Sequence, residues 1–365
     1  MSEDYPRTPV RLHLTNVAGA GASQLLQSLL PALELTTRFS VTHIFLPEGG
    51  RLASYLSSST TTDTEVYRRR LPNAVSRLLE CTLLAGRFDG ESPLLVLGDL
   101  PLLCRGPQTV FVQTPNLLRP AQLRLGADRI KYWISRYLFR LSMHRVRAFI
   151  VQTEVMRDAL VRTYPDVAGR VHIIAQPVPI WLLQSGLKRQ GRIGVKGQNL
   201  NLIYPAADYP HKNHNLLAQL DPHAGWPVER LTLTLDAAAN PAQRLSWVHC
   251  CGFLSPEAMI KSYAEVDALL FLSKDESFGF PLIESMFVGL PIVCPDLPYA
   301  HTLCGDDAIY FDLNHPDSLR QALITLKSRL DKGWWPDWRE RLACLPKDWE
   351  EVAEKMLEIT CGLDD

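Results

Sequence analysis

The sequence is short of several things, and each shortage closes off a class of function. Among 365 residues, 38 Lys or Arg oppose 39 Asp or Glu, leaving a net charge of -1. No global field therefore draws in a polyanion such as nucleic acid, and any basic partner site has to be local. No stretch reaches the roughly 18 apolar residues of a membrane-spanning helix. The opening MSEDYPRTPV carries acids and proline where a secretory signal needs a basic start and an apolar core, so a cytoplasmic protein is expected. The eight cysteines form no CxxC pair and are too sparse to staple a chain of this size, so they are expected to be reduced thiols. The ten histidines show no HExxH pattern, and no metal site is expected.

What is present is a composition, 46% hydrophobic and 21% charged, that suits a globular chain with enough length for two cores. Short apolar runs at 10–14, 42–46, 94–97, 109–112, 148–151 and 171–174 alternate with helically spaced segments such as 22–35 and 154–163. Strand and helix in alternation imply a parallel sheet covered on both faces. Residues 1–180 thus read as one Rossmann-like domain. Residues 181–199, with SGLKRQGRIGVKGQN, have the Gly-rich, basic composition of a linker. The alternation then restarts at 200–204, 231–235, 247–250, 268–272 and 291–294, giving a second α/β domain over 200–345. The cleft between the two is the expected ligand site. The remaining residues, 346–365, read as a C-terminal helix packing back on the first domain, preceded by the tryptophan-rich WWPDWRE.

The stretch DESFGFPLIESMFVGLPIV, residues 275–293, reads as strand-to-helix turn, short helix and next strand. Such turns lie at the carboxyl ends of strands, where open α/β sheets take ligands, and a helix start offers backbone N–H groups to anions. Gly279 lets a diphosphate approach the backbone. Glu284, one turn into the helix, repels phosphate but accepts hydrogen bonds from neutral hydroxyls such as those of a ribose. Glu276 suits sugar hydroxyls in the same way. Taken alone, both acids are also explained as complements to the helix dipole.

The run ESFGFPLIE resembles the E-x7-E motif of retaining GT-B glycosyltransferases, in particular glycosyltransferase family 4, and SMFVGLPIVCPD is similar to that family's helix, Gly-x-Pro and strand. YPAADYPHKNHNLL at 204–217 resembles the family's first turn of the second domain with its lysine, and VFVQTPNLL and FIVQTEVMRDAL show weaker similarity to members from bacterial surface-polysaccharide clusters. The resemblance implies an α/β, GT-B architecture: two Rossmann-like domains whose parallel sheets face a central cleft. It implies no cofactor beyond the donor substrate, a nucleotide diphosphate sugar linked to GDP, UDP or dTDP.

By that resemblance Glu284 holds the ribose, Glu276 contacts the donor sugar, and the backbone of Phe278, Gly279 and Phe280, with Pro281 behind them, lines the sugar and diphosphate. Lys212 matches the lysine that neutralises the diphosphate without a metal. Many members carry an arginine where this chain has Ala207, so His211 or His214 is a candidate for the missing phosphate contact. In the first domain, NVAGAGAS follows a strand, with Gly19 and Gly21 admitting donor phosphate and Asn16 a substrate contact. A nicotinamide-binding turn fits less well, because Gln24 stands where a third small residue is wanted. Gln113 occupies the place of the family's histidine; it cannot act as a base, and with Asn116 and Asp99 it is expected to position substrate.

Residues 119–147 hold eight Arg or Lys against a single acid, Asp128. Arg129, Arg136, Arg140 and Arg147 form one stripe and Ile130, Ile134, Leu138 and Leu141 another, beside Trp133 and Tyr137. An amphipathic basic helix suits either an anionic membrane surface or a solvated face over the core. The expectation is a retaining, metal-independent hexosyltransferase, of mannosyltransferase or O-antigen type, acting on a glycan or polyprenyl-linked acceptor. It is expected in the cytoplasm, either free or peripheral on the cytoplasmic face of the membrane, and takes no nucleic-acid partner. A nucleotide-sugar epimerase, a phosphorylase of similar fold and a non-catalytic sugar-binding relative are the alternatives.

Overall fold

A computed structural model of the chain describes residues 7–17, 19–69, 71, 73–118, 127–192, 197–220 and 226–363. It divides into two compact units, Met1–Pro177 with Pro346–Asp365, and Val178–Leu345. The first unit runs β1 (Thr8–His13), α1 (Ala20–Leu35), β2 (Phe39–Pro47), β3 (Asp63–Tyr67), α2 (Asn73–Cys81), β4 (Leu94–Val96), β5 (Gln108–Phe111), α3 (Pro115–Leu118), α4 (Ala127–Ser142), β6 (Val146–Val151), α5 (Glu154–Thr163) and β7 (Val171–Ile173). The second runs α6 (Ile180–Leu183), β8 (Leu200–Tyr204), β9 (Val228–Leu233), β10 (Val248–Cys250), α7 (Pro256–Glu265), β11 (Ala268–Leu270), α8 (Phe280–Val288), β12 (Ile292–Pro295), α9 (Pro298–Cys304), β13 (Ile309–Phe311), α10 (Pro316–Asp331) and α11 (Arg339–Ala343). A last helix, α12 (Trp349–Cys361), belongs to the first unit.

Each unit is built on one parallel sheet. The first has strand order β3-β2-β1-β4-β5-β6-β7 and the second β10-β9-β8-β11-β12-β13. The apolar runs become these strands because parallel strands are covered on both faces: Leu94, Leu95 and Val96, and likewise Ala268 and Leu269, are wholly buried. In each sheet the order reverses beside the first strand, between β1 and β4 and between β8 and β11. Connections leave opposite faces at such a point and open a crevice beyond the carboxyl ends of the two strands.

Two strands escape the apolar-run reading for physical reasons. β3, DTEVY, is an edge strand with four of its five residues exposed, so it lacks the apolar signature of a covered strand. β13 has only three residues. Residues 181–199 also differ from a free linker. They contain most of α6, and Arg189 donates Nη1 to the carbonyls of Tyr263, Ala264 and Val266 at 2.8–3.1 Å, tying the segment to the second unit. The WWPDWRE tryptophans act within the same unit, Trp338 donating Nε1 to the Leu290 carbonyl at 2.9 Å and Trp335 to that of Arg189 at 3.3 Å.

The final helix shows why a terminal segment joins the first unit. Asp348 caps it by accepting from Glu351 N at 2.9 Å, and Trp349, Val352, Ala353, Met356 and Leu357 are buried on the face turned to α1 and the sheet. Burial of those side chains contributes on the order of 10 kcal/mol gross before chain entropy is subtracted.

Candidate active site

The reversal point of the second sheet gathers the residues singled out in its sequence. Beyond β8 the chain makes a short turn, Pro210–Lys212, and Asn213 takes a left-handed conformation at φ 58°. Beyond β11 it runs to Gly279, at φ 90°, and enters α8. Among the described residues only two that are not glycine have positive φ, Asp99 and Asn213. Each lies just beyond a central strand of its sheet. Backbone held in that region costs about 1–3 kcal/mol and persists where surrounding contacts fix it.

Lys212 Nζ sits 2.6 Å from Glu276 Oε1, with side-chain exposures of 16% and 8%. The two loops are therefore joined by an ion pair as well as by the bond from Lys274 N to the His211 carbonyl at 2.7 Å. Glu284 is 5% exposed and accepts from the Tyr263 hydroxyl at 2.7 Å. Burial pushes its carboxyl up to about 7, against the opposing effect of the Tyr263 bond. Phe278 turns its ring into the core, edge-on to Phe280 with centroids 5.2 Å apart, so only its backbone is placed to meet a ligand. At Gly279 any side chain is strained by the positive φ, and a Cβ would also lie 3.2 Å from Leu282 Cδ1.

The two histidines beside Lys212 do not replace a missing arginine's charge. Burial, then the neighbouring Lys212, pushes His211 down to about 4, and burial likewise brings His214 to about 4. Both are neutral at physiological pH. His214 is 4% exposed with neither ring nitrogen hydrogen-bonded, while Ala207 is exposed.

Sequence reasoning missed three tyrosines. Tyr204, Tyr263 and Tyr299 are buried, and their hydroxyls donate to the Lys212 carbonyl, to Glu284 and to the Ser273 carbonyl at 2.7, 2.7 and 2.6 Å. They are scattered over a strand and two helices, and no short motif joins them. A tyrosine inside an otherwise apolar run, as at the end of LNLIY, is the one available signal, because a buried phenol needs a partner.

In the first unit the residues expected to touch substrate are committed to one another. Asn16 Oδ1 accepts from Arg69 at 2.7 Å, its carbonyl from Arg77 at 3.0 Å, and its amide faces Cys81 Sγ at 3.9 Å. Arg69 also pairs at 3.0 Å with Glu80, which is fully buried and bonded to Thr15, with His13 at 3.3 Å. Burial alone would raise Glu80, but bonds from His13 and Thr15 and the nearby charges hold it below the usual glutamate range. Asp99 accepts from Gln113 N at 2.5 Å, Thr114 N at 3.0 Å and the Thr114 hydroxyl at 2.7 Å. Asn16 and Asp99 thus brace their loops through bonds within the protein. Gln113 donates Nε2 to the Leu97 carbonyl at 3.1 Å and Asn116 Nδ2 to the Tyr132 hydroxyl at 3.3 Å. At Gly19 and Gly21 a Cβ would meet nothing within 4 Å, so no internal contact requires glycine there.

Of the basic segment, residues 119–126 and the side chains of Arg129 and Lys131 lie outside the described residues. The rest of α4 exposes Trp133, Tyr137 and Leu141, the two rings stacked at 6.2 Å. Among the described residues no helix is long and apolar enough to cross a membrane, and no group of three His, Cys, Asp or Glu is arranged to hold a metal.

A family model described as glycosyl transferases group 1 matches residues 228–329. The chain is 31% identical over 147 residues to the serotype-specific mannosyltransferase WbdA of Escherichia coli, covering 40% of this chain and 17% of that protein. It therefore spans well under two thirds of that relative. It is 20% identical over 260 residues to the O-antigen chain mannosyltransferase RfbU of Salmonella typhimurium, covering 65% of this chain and 68% of the relative. Among solved structures it is similar to WaaG, a glycosyltransferase involved in lipopolysaccharide biosynthesis, with TM-score 0.64, 16% identity and coverage of 97% and 100%. It is also similar to Anabaena HepE in complex with UDP and glucose, with TM-score 0.58, 14% identity and 98% coverage of both chains. The chain has the GT-B fold, and its residues 228–329 are similar to group 1 glycosyl transferases.

Proposed function

We propose that the protein is a retaining, metal-independent glycosyltransferase that moves a hexose, with mannose the first candidate, from a nucleotide diphosphate sugar to a glycan acceptor of a bacterial surface polysaccharide. The observation that carries this reading is the Lys212–Glu276 pair between the two loops at the reversal point of the second sheet, ahead of the helix α8 that carries Glu284. Lys212 would shift from Glu276 to the diphosphate as charge builds on the leaving group, which frees Glu276 for the sugar hydroxyls. Glu284 would take the ribose, and Gly279 would let the backbone close on the phosphates. Catalysis then comes from alignment and from electrostatic stabilisation of the leaving diphosphate. The departing phosphate would receive the acceptor proton, so no protein base is assigned. The mannosyltransferases among the relatives support the sugar, and the UDP and glucose bound by HepE support a nucleotide-sugar donor.

The first test is thermal unfolding with UDP, GDP and dTDP. A ligand at 100 times its dissociation constant adds about 2.7 kcal/mol of stability, and a shift with none of the three would sink the reading. Product analysis follows, since transfer needs a second sugar whereas an epimerase acts on the nucleotide sugar alone. The anomeric configuration of the product tests retention. A non-catalytic sugar-binding relative is the second reading, favoured by Ala207 and Gln113; it predicts a thermal shift without turnover.

The stacked, exposed Trp133 and Tyr137 beside Arg136 and Arg140 favour contact with anionic lipid. Such contact would place the enzyme at the cytoplasmic face of the membrane and suit a polyprenyl-linked acceptor. Flotation with anionic and with neutral vesicles distinguishes that attachment from a merely solvated face.

A further inference from the structure

Of the three tyrosines that brace the second unit's site, Tyr263 alone donates its hydroxyl to a side chain. It comes from α7, is 0% exposed, and meets Glu284 Oε2 at 2.7 Å. An ionised carboxylate offers about four acceptor positions. Glu284 uses one on Tyr263, and no second partner for the carboxylate is found among the described residues. A buried acid satisfied on one oxygen only is a costly arrangement unless something else completes it. Tyr263 is itself held, since Arg189 donates to its carbonyl at 3.1 Å.

Building on the donor reading above, we propose that Tyr263 is a positioning residue for donor recognition: by fixing Oε2 it presents Oε1 of Glu284 to the ribose and favours the ionised carboxylate that the ribose diol needs. An ionised Glu284 accepts from both ribose hydroxyls, whereas a protonated one gives up an acceptor position. Tyr263, from α7, is the titratable group facing Glu284. Among the described residues of β11, β12, α9 and α11, which pack on α8, no charged side chain acts on the carboxylate. With Glu284 at about 7 before the ligand arrives, donor affinity should rise with pH and level off above neutrality. Removing the phenol should move that rise to higher pH, because a donor to the carboxylate favours its charged form.

The test is calorimetric titration of the full chain with UDP-glucose, GDP-mannose and dTDP-glucose between about pH 5.5 and 8.5. Their diphosphate diesters do not titrate in that window. Wild type, Tyr263→Phe and Glu284→Gln are compared. The expected result is a wild-type affinity that rises with pH, a loss of about tenfold at neutral pH in Tyr263→Phe with the rise displaced upward, and a weak, pH-independent Glu284→Gln. Wild-type-like binding by Glu284→Gln, or no binding of any probe by the wild type, overturns the donor reading and this inference with it. A weakened Glu284→Gln beside a Tyr263→Phe of unchanged affinity and profile overturns the role of Tyr263 alone. Should Tyr263→Phe fail to fold, a flat wild-type profile overturns the proposal and a sloping one that Glu284→Gln abolishes supports it.

Discussion

The loops after β1 and β4 in the first unit hold Asn16 and Asp99; those after β8 and β11 in the second hold Lys212 and Glu276. The positions are topologically the same, yet the side chains behave differently. In the first unit, Asn16 and Glu80 are bonded to Arg69, and Asp99 to the backbone of Gln113 and Thr114. In the second, Lys212 and Glu276 have each other, and among the described residues Glu284 has only a tyrosine. One arrangement fixes loop shape, and the other, in the donor reading proposed above, leaves charged groups that would exchange partners on binding. Two of the buried glutamates make the same point. Glu80 is held below the ordinary range by its partners, while Glu284 is pushed to about 7 by burial.

The comparison fails first at Glu80 if it is wrong. Glu80→Ala leaves Arg69 and His13 without their buried partner, and a broken buried pair costs about 3–5 kcal/mol. Denaturant unfolding should show that loss at neutral pH and a smaller one in acid, where the wild type's depressed pKa no longer helps. The folded fraction should keep its nucleotide-induced thermal shift; loss of that shift would blur the division between brace and ligand site.

Glu284→Gln should do the reverse. An acid whose pKa rises on folding, here from 4.5 to about 7, contributes full stability below 4.5 and loses it as pH rises through the folded value. The wild type therefore carries a cost of about 3 kcal/mol above neutrality. Glu284→Gln removes it, so unliganded protein should melt higher than wild type at pH 8 and nearly alike at pH 5, while nucleotide binding weakens. A lower melting temperature at pH 8 would contradict the assignment.

Lys212→Ala should remove most of the shift of up to about 2.7 kcal/mol that saturating nucleotide gives; an undiminished shift would end its role as the phosphate contact. The smallest effect is expected at Gly21→Ala. It lies in the first turn of α1 with nothing near its Cβ, so alanine should stabilise by up to about 1 kcal/mol. If the loop meets the donor, transfer activity should drop in spite of that gain, and unchanged activity would place the loop away from the reaction.

Much of the fold was legible because buried parallel strands need continuous apolar runs, as at LLV and ALL. β3 was not, since an edge strand needs no such run. At the site, DESFGFPLIE carried its own signal because helix, glycine and both acids are neighbours in the chain. The Arg69–Glu80–Asn16 network carried none, because its members are drawn together from the loop after β1, from α2 and from the loop between β3 and α2. Sequence also pointed to Asn16 and Asp99, but not to the loop-bracing bonds that they make.

By itself the sequence determined two parallel α/β sheets, a helix beginning close after a glycine beyond β11, and the two acids that flank its start, since each of these follows from local periodicity, turn chemistry and spacing; Lys212 was legible only through resemblance to a known family. Only tertiary structure decided which of the polar groups were already satisfied. Hydrogen-bond partners and burial depend on residues far apart in the chain, and the same glutamate is a strut when arginine and histidine surround it and an open acceptor when one phenol does.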